Sequence, residues 1–143
     1  MFKGLLDGEI FPKMEDLINT ADCELLLVTP WFYKDEFKDS LIQKKVTEPS
    51  IIIKVLVRKF NDYDNKKNLE TIRYLDRAGI QIGSINRIHA KFLIKDGKEM
   101  VLTTKNCTEA RSPPIDVGVW LTDIEEIKKF RNYFLELWDR QFY

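Results

Sequence analysis

Residues 88–106 read IHAKFLIKDGKEMVLTTKN. Two strand-forming runs flank Asp96 and Gly97, and Asp-Gly tolerates the positive φ angles of a two-residue type I′ hairpin turn. With that pair as the loop, Lys95 is expected to face Lys98, Leu93 to face Met100, Lys91 to face Leu102 and His89 to face Thr104. Side chains two apart on a strand point the same way. His89 and Lys91 then share a face and lie within about 7 Å of one another. The returning strand brings Thr103, Thr104, Lys105 and Asn106 to the level of His89. Imidazole, ammonium, hydroxyl and carboxamide can then converge on one small volume. That set combines a nucleophile with a point charge and neutral donors, which is what holding and attacking a phosphate requires.

Working outward, Glu24–Thr29 (ELLLVT) is a short apolar run ended by Pro30 and predicts a buried strand. Lys34–Lys45 has helical spacing in Phe37, Leu41 and Ile42, and Pro49 breaks it. Ile51–Arg58 is rich in β-branched residues and predicts a central strand. Asn61 to Asn65 form a polar loop. Leu69, Ile72 and Leu75 mark an amphipathic helix with Gly79 at its C-cap, and Ile80–Ile82 a short strand. On the N-terminal side, Pro12 opens a helical pattern through Met14, Leu17 and Ile18. On the C-terminal side, Ile115–Leu121 predicts a strand. Asp123 starts a last helix, with Glu125 and Glu126 in its first turn and an apolar stripe from Ile127 to Trp138. Alternating β and α elements, then a run of strands and a closing helix, predict one α/β domain over residues 1–143, a layered fold with a mixed β-sheet flanked by helices.

The chain is 44% hydrophobic and 32% charged over 143 residues, which excludes a disordered chain and allows a real core. Lys plus Arg and Asp plus Glu are each 23, so a strongly basic whole-protein nucleic-acid binder is excluded. The charge is nonetheless segregated. Residues 51–111 hold 13 basic and 7 acidic side chains, against 6 and 10 in residues 1–50. Among the former, Lys54, Arg58, Lys59, Lys66, Lys67, Arg73, Arg87, Lys95, Lys98, Lys105 and Arg111 could follow a polyanionic backbone, with Tyr63, Trp31 and Phe32 as candidates for stacking. No apolar run reaches the ~18 residues of a membrane span, and the N-terminal residues lack a secretory pattern. Cys23 and Cys107 stand in no metal-binding spacing. A cytoplasmic protein with reduced thiols is expected.

His89 is the one histidine. Lys at +2, Asp at +7 and Asn at +17 would follow it by chance about once in two thousand, with composition as the only constraint. These residues resemble the signature of the phospholipase D superfamily, His-x-Lys-x4-Asp-x6-Gly-Ser-x-Asn. His89, Lys91 and Asp96 fill the first part, and Thr103, Thr104 and Asn106 the second. The likeness extends over most of the chain. Val28 to Phe32 is similar to the family's first strand and the turn after it, Ile53 to Arg58 to its second strand, Leu75 to Ile80 to the segment before its third, and Ile115 to Val119 with the closing helix to its C-terminal part. Two departures stand out. Thr103-Thr104 replaces Gly-Ser, and Asp116 stands where the family usually has Glu.

The resemblance implies a phosphodiesterase that works through a phosphohistidine on His89. Lys91 and Asn106 hold the non-bridging oxygens, Thr104 adds a hydrogen bond to the phosphate, and Asp116 accepts the other ring N–H of His89. Asp96 is a structural turn residue. The chemistry needs two histidines, and Lys, with its usual pKa of ~10.4, is a poor acid–base substitute. A two-fold dimer supplies the second, because a residue near the axis meets its own copy. The expectation is a homodimeric endonuclease with a composite site and nucleic acid as substrate. No metal or other cofactor is expected, and Asp62, Asp64 and Asn65 lack the Gly and Glu of a calcium loop. Two alternatives remain open: a hydrolase of cardiolipin-type phospholipids, and a weakened nucleic-acid-binding or dimerisation module.

Overall fold

Leu25–Val28 and Ile53–Val57 are apolar at nearly every position, a pattern suited to strands covered on both faces. The computed structural model describes residues 1–59, 66–109 and 115–141. It places both runs inside a seven-stranded sheet of order β1-β7-β6-β5-β2-β3-β4. The strands are β1 (Phe2–Leu6), β2 (Glu24–Val28), β3 (Ile52–Arg58), β4 (Gln81–Ile85), β5 (Phe92–Lys95), β6 (Glu99–Thr103) and β7 (Val117–Leu121). The helices are α1 (Ile10–Thr20), α2 (Asp35–Thr47), α3 (Lys66–Arg77) and α4 (Ile124–Arg140). β2, β3 and β4 run parallel, and every other pairing is antiparallel. This is the expected α/β class with a mixed sheet between helices. The polar loop with Asp62, Tyr63, Asp64 and Asn65, and Arg111, lie outside the described residues.

Alternation along each strand divides the core in two. Leu25, Leu27, Val55, Leu93 and Val101 meet Met14, Leu17, Phe37 and Leu41 on the side of α1 and α2. Leu26, Val28, Leu56, Phe92, Ile94 and Met100 meet Ile127, Phe134 and Leu137 of α4. The helix ends follow local chemistry. Asp123 caps α4 by accepting the N–H groups of Glu125 (3.1 Å) and Glu126 (3.3 Å). α3 ends where Gly79 takes φ 89° and the Ile80 N–H reaches the Leu75 carbonyl at 3.1 Å, a Schellman closure. β1 had no counterpart among the predicted strands. α1 begins at Ile10, ahead of Pro12, and β4 extends past Ile82 to Ile85.

The β5–β6 hairpin departs from the predicted register by one residue. Asp96 (φ 52°) and Gly97 (φ 65°) do form the two-residue turn, and the Lys98 N–H closes it on the Lys95 carbonyl at 2.9 Å. The ladder then pairs Lys95 with Glu99, Ile94 with Met100, Leu93 with Val101 and Phe92 with Leu102. Lys98 is therefore an extra residue beside the turn, in the manner of a β-bulge. Burial decides this. A one-residue slip turns every side chain to the other face, and Leu93 opposite Met100 would set two residues of opposite core layers against each other. The shift also replaces a Lys95–Lys98 repulsion by an ion pair between Lys95 and Glu99 at 2.8 Å.

The same turn is fastened to the rest of the chain. The Asp96 carboxylate accepts the backbone N–H groups of Asp22 (2.9 Å), Cys23 (2.7 Å) and Glu24 (2.8 Å). Partial burial works against its charge, but these three donors and the Lys95 ammonium outweigh it and hold the pKa below the usual carboxylate value. The contribution to stability is present in full above the unfolded value of ~3.9 and is lost as pH falls through the lower folded value. Replacement Asp96→Asn is expected to cost about 2 kcal/mol at neutral pH. In urea denaturation series, the gap between wild type and variant should narrow below about pH 4. A gap that stays constant into strong acid would show that the charge contributes nothing.

Candidate active site

In open sheets with parallel strands, ligands bind beyond the carboxyl ends, where the strand order reverses. Here β2 is that point: β3 and β4 follow outward on one side, and the chain then returns to place β5 on the other. Val28 pairs with Phe92, so the segment Ile88–Lys91 lies at the carboxyl end of β2. Asp96 lies beyond the opposite end of β5, about 16 Å from Lys91 at the rise of an extended strand. It holds the hairpin and takes no part in the pocket.

The floor of this end is pinned by Thr29, which is buried. Its hydroxyl donates to the Trp31 carbonyl at 2.7 Å and accepts the Cys107 N–H at 3.1 Å. The Tyr33 N–H bonds the Cys107 carbonyl at 2.9 Å. The loop after β2 and the segment after β6 thus move as one. Cys107 lies buried between them, and burial pushes its thiol up to about 12, which disfavours the thiolate.

His89 is exposed, ahead of β5. Its carbonyl accepts the Lys91 ammonium at 3.0 Å, which folds the lysine back against it. The Lys91 carbonyl in turn accepts the Thr103 N–H at 3.0 Å. This bond sets Lys91 opposite Thr103 rather than Leu102, and His89 is not the ladder partner of Thr104. The rest of the cluster follows β6 outward. The Thr103 hydroxyl donates to the Val117 carbonyl (2.9 Å) and accepts the Lys105 N–H (3.0 Å). The Thr104 hydroxyl donates to Asp116 Oδ1 (2.7 Å) and accepts the Val117 N–H (3.1 Å). Both hydroxyls are thus committed to the β7 segment, and the Thr104 proton is not free for a phosphate in this arrangement. The added bulk of Thr103 sits opposite Gly118, where a Cβ would come within 3.2 Å of the Thr103 Cβ and 2.9 Å of the Leu102 carbonyl oxygen.

Asp116 is buried, with 5% of its surface exposed. Its backbone is held on both sides by Asp7, whose N–H donates to the Asp116 carbonyl (3.1 Å) and whose carboxylate accepts the Asp116 N–H (3.0 Å). Asp116 Oδ2 makes no hydrogen bond among the described residues, but the Lys105 ammonium stands 3.7 Å away. That ammonium also lies 4.6 Å from the centre of the Phe11 ring. The expected bond from the His89 ring to Asp116 is not formed: among the described residues the imidazole has no hydrogen-bond partner. The shorter Asp side chain is occupied elsewhere, bonded to Thr104 and facing Lys105, while Asp7 holds its backbone. Asn106 is half-buried and its Oδ1 is enclosed without a partner.

The structure therefore joins His89, Lys91, Thr103, Thr104, Lys105 and Asp116 in one chain of contacts, and Asn106 follows Lys105 in the sequence with no side-chain bond to them among the described residues. Asp7, and Lys105 as the counter-charge to Asp116, escaped the sequence reading. Nothing in the local sequence of Asp7 points to a partner 109 residues away. Among the described residues, no group of three His, Cys, Asp or Glu side chains is placed to hold a metal ion. No helix of the described residues is long and apolar enough to cross a membrane.

Comparison with known proteins agrees with this layout. Residues 14–138 match the family model described as cardiolipin synthase, PLD-like domain. Comparison with curated proteins finds no match. Among solved structures, NucT from Helicobacter pylori is similar at 18% identity, with 97% of both chains covered and a TM-score of 0.82. The phospholipase D family member Nuc from Salmonella typhimurium is similar at 14% identity over 97% of this chain and 95% of that one, with a TM-score of 0.84. TrmBL2, an archaeal chromatin protein with a novel mode of DNA binding, is similar at 20% identity over 97% of this chain and 53% of its own, with a TM-score of 0.71. At these identities the structural likeness concerns the fold, while the sequence match spans most of the chain. A mixed sheet of this order, carrying the His-x-Lys segment at the carboxyl end of its central strand, belongs to the phospholipase D-like domain family, and this chain is a member of it.

Proposed function

We propose that the chain is a metal-independent phosphodiesterase that cleaves nucleic acid as a homodimer. The observation that carries this reading is the 3.0 Å bond from the Thr103 N–H to the Lys91 carbonyl, because it sets the segment His89–Lys91 beside the segment Thr103–Asn106. A nucleophile, a cation and a carboxamide then border one volume at the place where such sheets bind ligands.

The neutral His89 imidazole attacks phosphorus, and a P–N bond forms as the bond to the leaving oxygen breaks. That oxygen takes its proton from the partner subunit's His89, which enters the step as imidazolium. Water then attacks phosphorus and gives a proton to the same partner imidazole, and the P–N bond breaks. Lys91 and the Asn106 amide steady the charge on the non-bridging oxygens. Thr104, with its proton on Asp116, acts as a positioning residue that fixes the β6–β7 end. Leu6 and Val117, a cross-strand pair, and Ile115 are exposed apolar side chains flanking Asp116. They provide the kind of surface that a second copy beside the site would cover.

Mixing experiments test the shared site. At constant total subunit concentration, an exchanged equal mixture of wild type and His89→Asn should show about a quarter of the activity of wild type alone on plasmid in excess EDTA, because only wild-type pairs, one dimer in four, hold two imidazoles. Wild type alone should trap acid-labile phosphate. Half the activity remaining would mean that each subunit works alone. Release of headgroup from cardiolipin vesicles without nicking of plasmid would assign the chemistry to lipid instead.

The positioning contact is tested by stability. Thr104→Val strands Asp116 Oδ1 and the Val117 N–H and is expected to lower unfolding free energy by about 1 kcal/mol or more, while Thr104→Ser stays near wild type. Equal midpoints for the two variants in urea would remove the contact from the scheme.

A further inference from the structure

A second group of cations lies at the same end of the sheet, beyond the residues above. Arg58 ends β3, Lys59 follows it, and Arg73 projects from α3. With Asp76, Gly83 and Gln141 they line a groove of 490 Å³ along the edge strand β4. The size is that of a small-ligand site.

Three features of the groove point to an anion. None of Arg58, Lys59 and Arg73 has an ion-pair partner within 4.0 Å among the described residues, and Asp76, the one acid of the lining, is not paired with them. By contrast, Lys44 at the edge of the core is paired with Glu48, and Arg131 with Glu24. The third feature is Gln141. Its amide Nε2 is buried and has no acceptor. The amide lies flat on β4 at Gly83, where a Cβ would fall 2.2–2.6 Å from its atoms, so glycine is what admits it. Cations without counter-charges thus come from β3 and α3, with the Gln141 amide packed beside them at the end of α4, and a group with several acceptor oxygens and negative charge would satisfy the cations together.

The groove is also near the reacting centre. The Lys59 N–H bonds the Ile85 carbonyl at 3.0 Å, and His89 follows Ile85 by four residues, a span of at most about 14 Å. Phosphates along one strand of a duplex recur every ~3.4 Å of axis, so a strand held at His89 passes this groove within a few nucleotides. We propose that the groove formed by Arg58, Lys59, Arg73 and Gln141 is a phosphate subsite that grips the nucleic-acid backbone a few nucleotides from the bond that is cut. This rests on the hydrolytic reading above and adds to it a defined second point of attachment.

The test uses binding, so that it stands apart from turnover. In a His89→Asn background, a labelled short single-stranded oligonucleotide is titrated by fluorescence anisotropy over a range of salt. Removal of two phosphate contacts in Arg58→Gln/Arg73→Gln should lower the slope of log affinity against log salt by about 1.4, since each contact on a single strand contributes ~0.7. The charge-matched control Lys3→Gln/Lys128→Gln, on exposed positions of β1 and α4, should keep the slope. Gln141→Glu, which sets a carboxylate in the groove, should weaken binding at low salt with an unchanged thermal midpoint. An unchanged slope in the arginine variant, or an equal loss in the control, overturns the subsite, and so does full affinity in folded Gln141→Glu. Failure of the hydrolytic reading shows separately, as absent turnover of a small chromogenic phosphodiester by wild type. A chain that binds no oligonucleotide at any salt overturns the subsite outright.

Discussion

The Asp96 carboxylate, with three backbone N–H groups of Asp22–Glu24 on it, is the contact on which the geometry of the sheet turns. It joins residues more than 70 positions apart and fixes how far β5 slides along β2. Glu24, one of the donors, also receives the Arg131 guanidinium in two bonds of 2.8 and 3.0 Å. The lower end of the central strand is thus tied to the hairpin and to α4 at once. Since β5 is only four residues long, fixing one end fixes the other, and the other end is where Lys91 meets Thr103. A residue about 16 Å from Lys91 thereby sets the position of the segment that carries His89 and Lys91.

At the upper end, a different economy of hydrogen bonds operates. Thr103 and Thr104 could be read as free donors, yet both are turned into β7, and they carry Asp116 and Lys105 with them. The larger residue at 103 is possible because β7 offers Gly118 opposite it. This couples the β6–β7 end firmly and leaves Lys91 and Asn106 as the side chains of the motif that are not committed to β7. Among the described residues, the unpartnered oxygen of Asn106 is the one buried side-chain acceptor there that no neighbour satisfies, apart from Asp116 Oδ2 beside Lys105.

Much of this was legible in the sequence, for reasons that differ by element. β2 and β3 declare themselves because a strand buried on both faces must be apolar throughout. α4 does so because its cap and its stripe agree. The Asp96–Gly97 turn was legible in type but not in register, since the dipeptide specifies φ angles and says nothing of a bulge at Lys98. The core layers made that choice, and they are a property of the whole sheet. β1 was missed because only Leu5 of its residues is buried, so it has no apolar face to read and exists by pairing with β7. In the site, His89, Lys91, Thr104 and Asn106 could be singled out by spacing, and Asp116 by the family resemblance. The partner that Asp116 chooses depends on Asp7 and Thr104, which approach from distant parts of the chain.

Zero net charge makes the placement of unpaired cations more telling than their number. A neutral protein exerts little long-range pull on a polyanion, so attraction must come from short-range contacts that are not already neutralised. Lys13, Lys38, Lys44, Lys95, Lys129 and Arg131 are each held by a carboxylate, and Lys105 stands beside Asp116. Arg58, Lys59, Arg73 and Arg87 are not, and all but Arg73 follow directly from the carboxyl ends of β3 and β4. Binding built this way gives modest affinity with strong dependence on salt and on local shape. On the proposed reading, Arg58, Lys59 and Arg87 at the carboxyl ends of β3 and β4 would exchange counterions for a phosphate chain, while Lys105 at the same end stays beside Asp116.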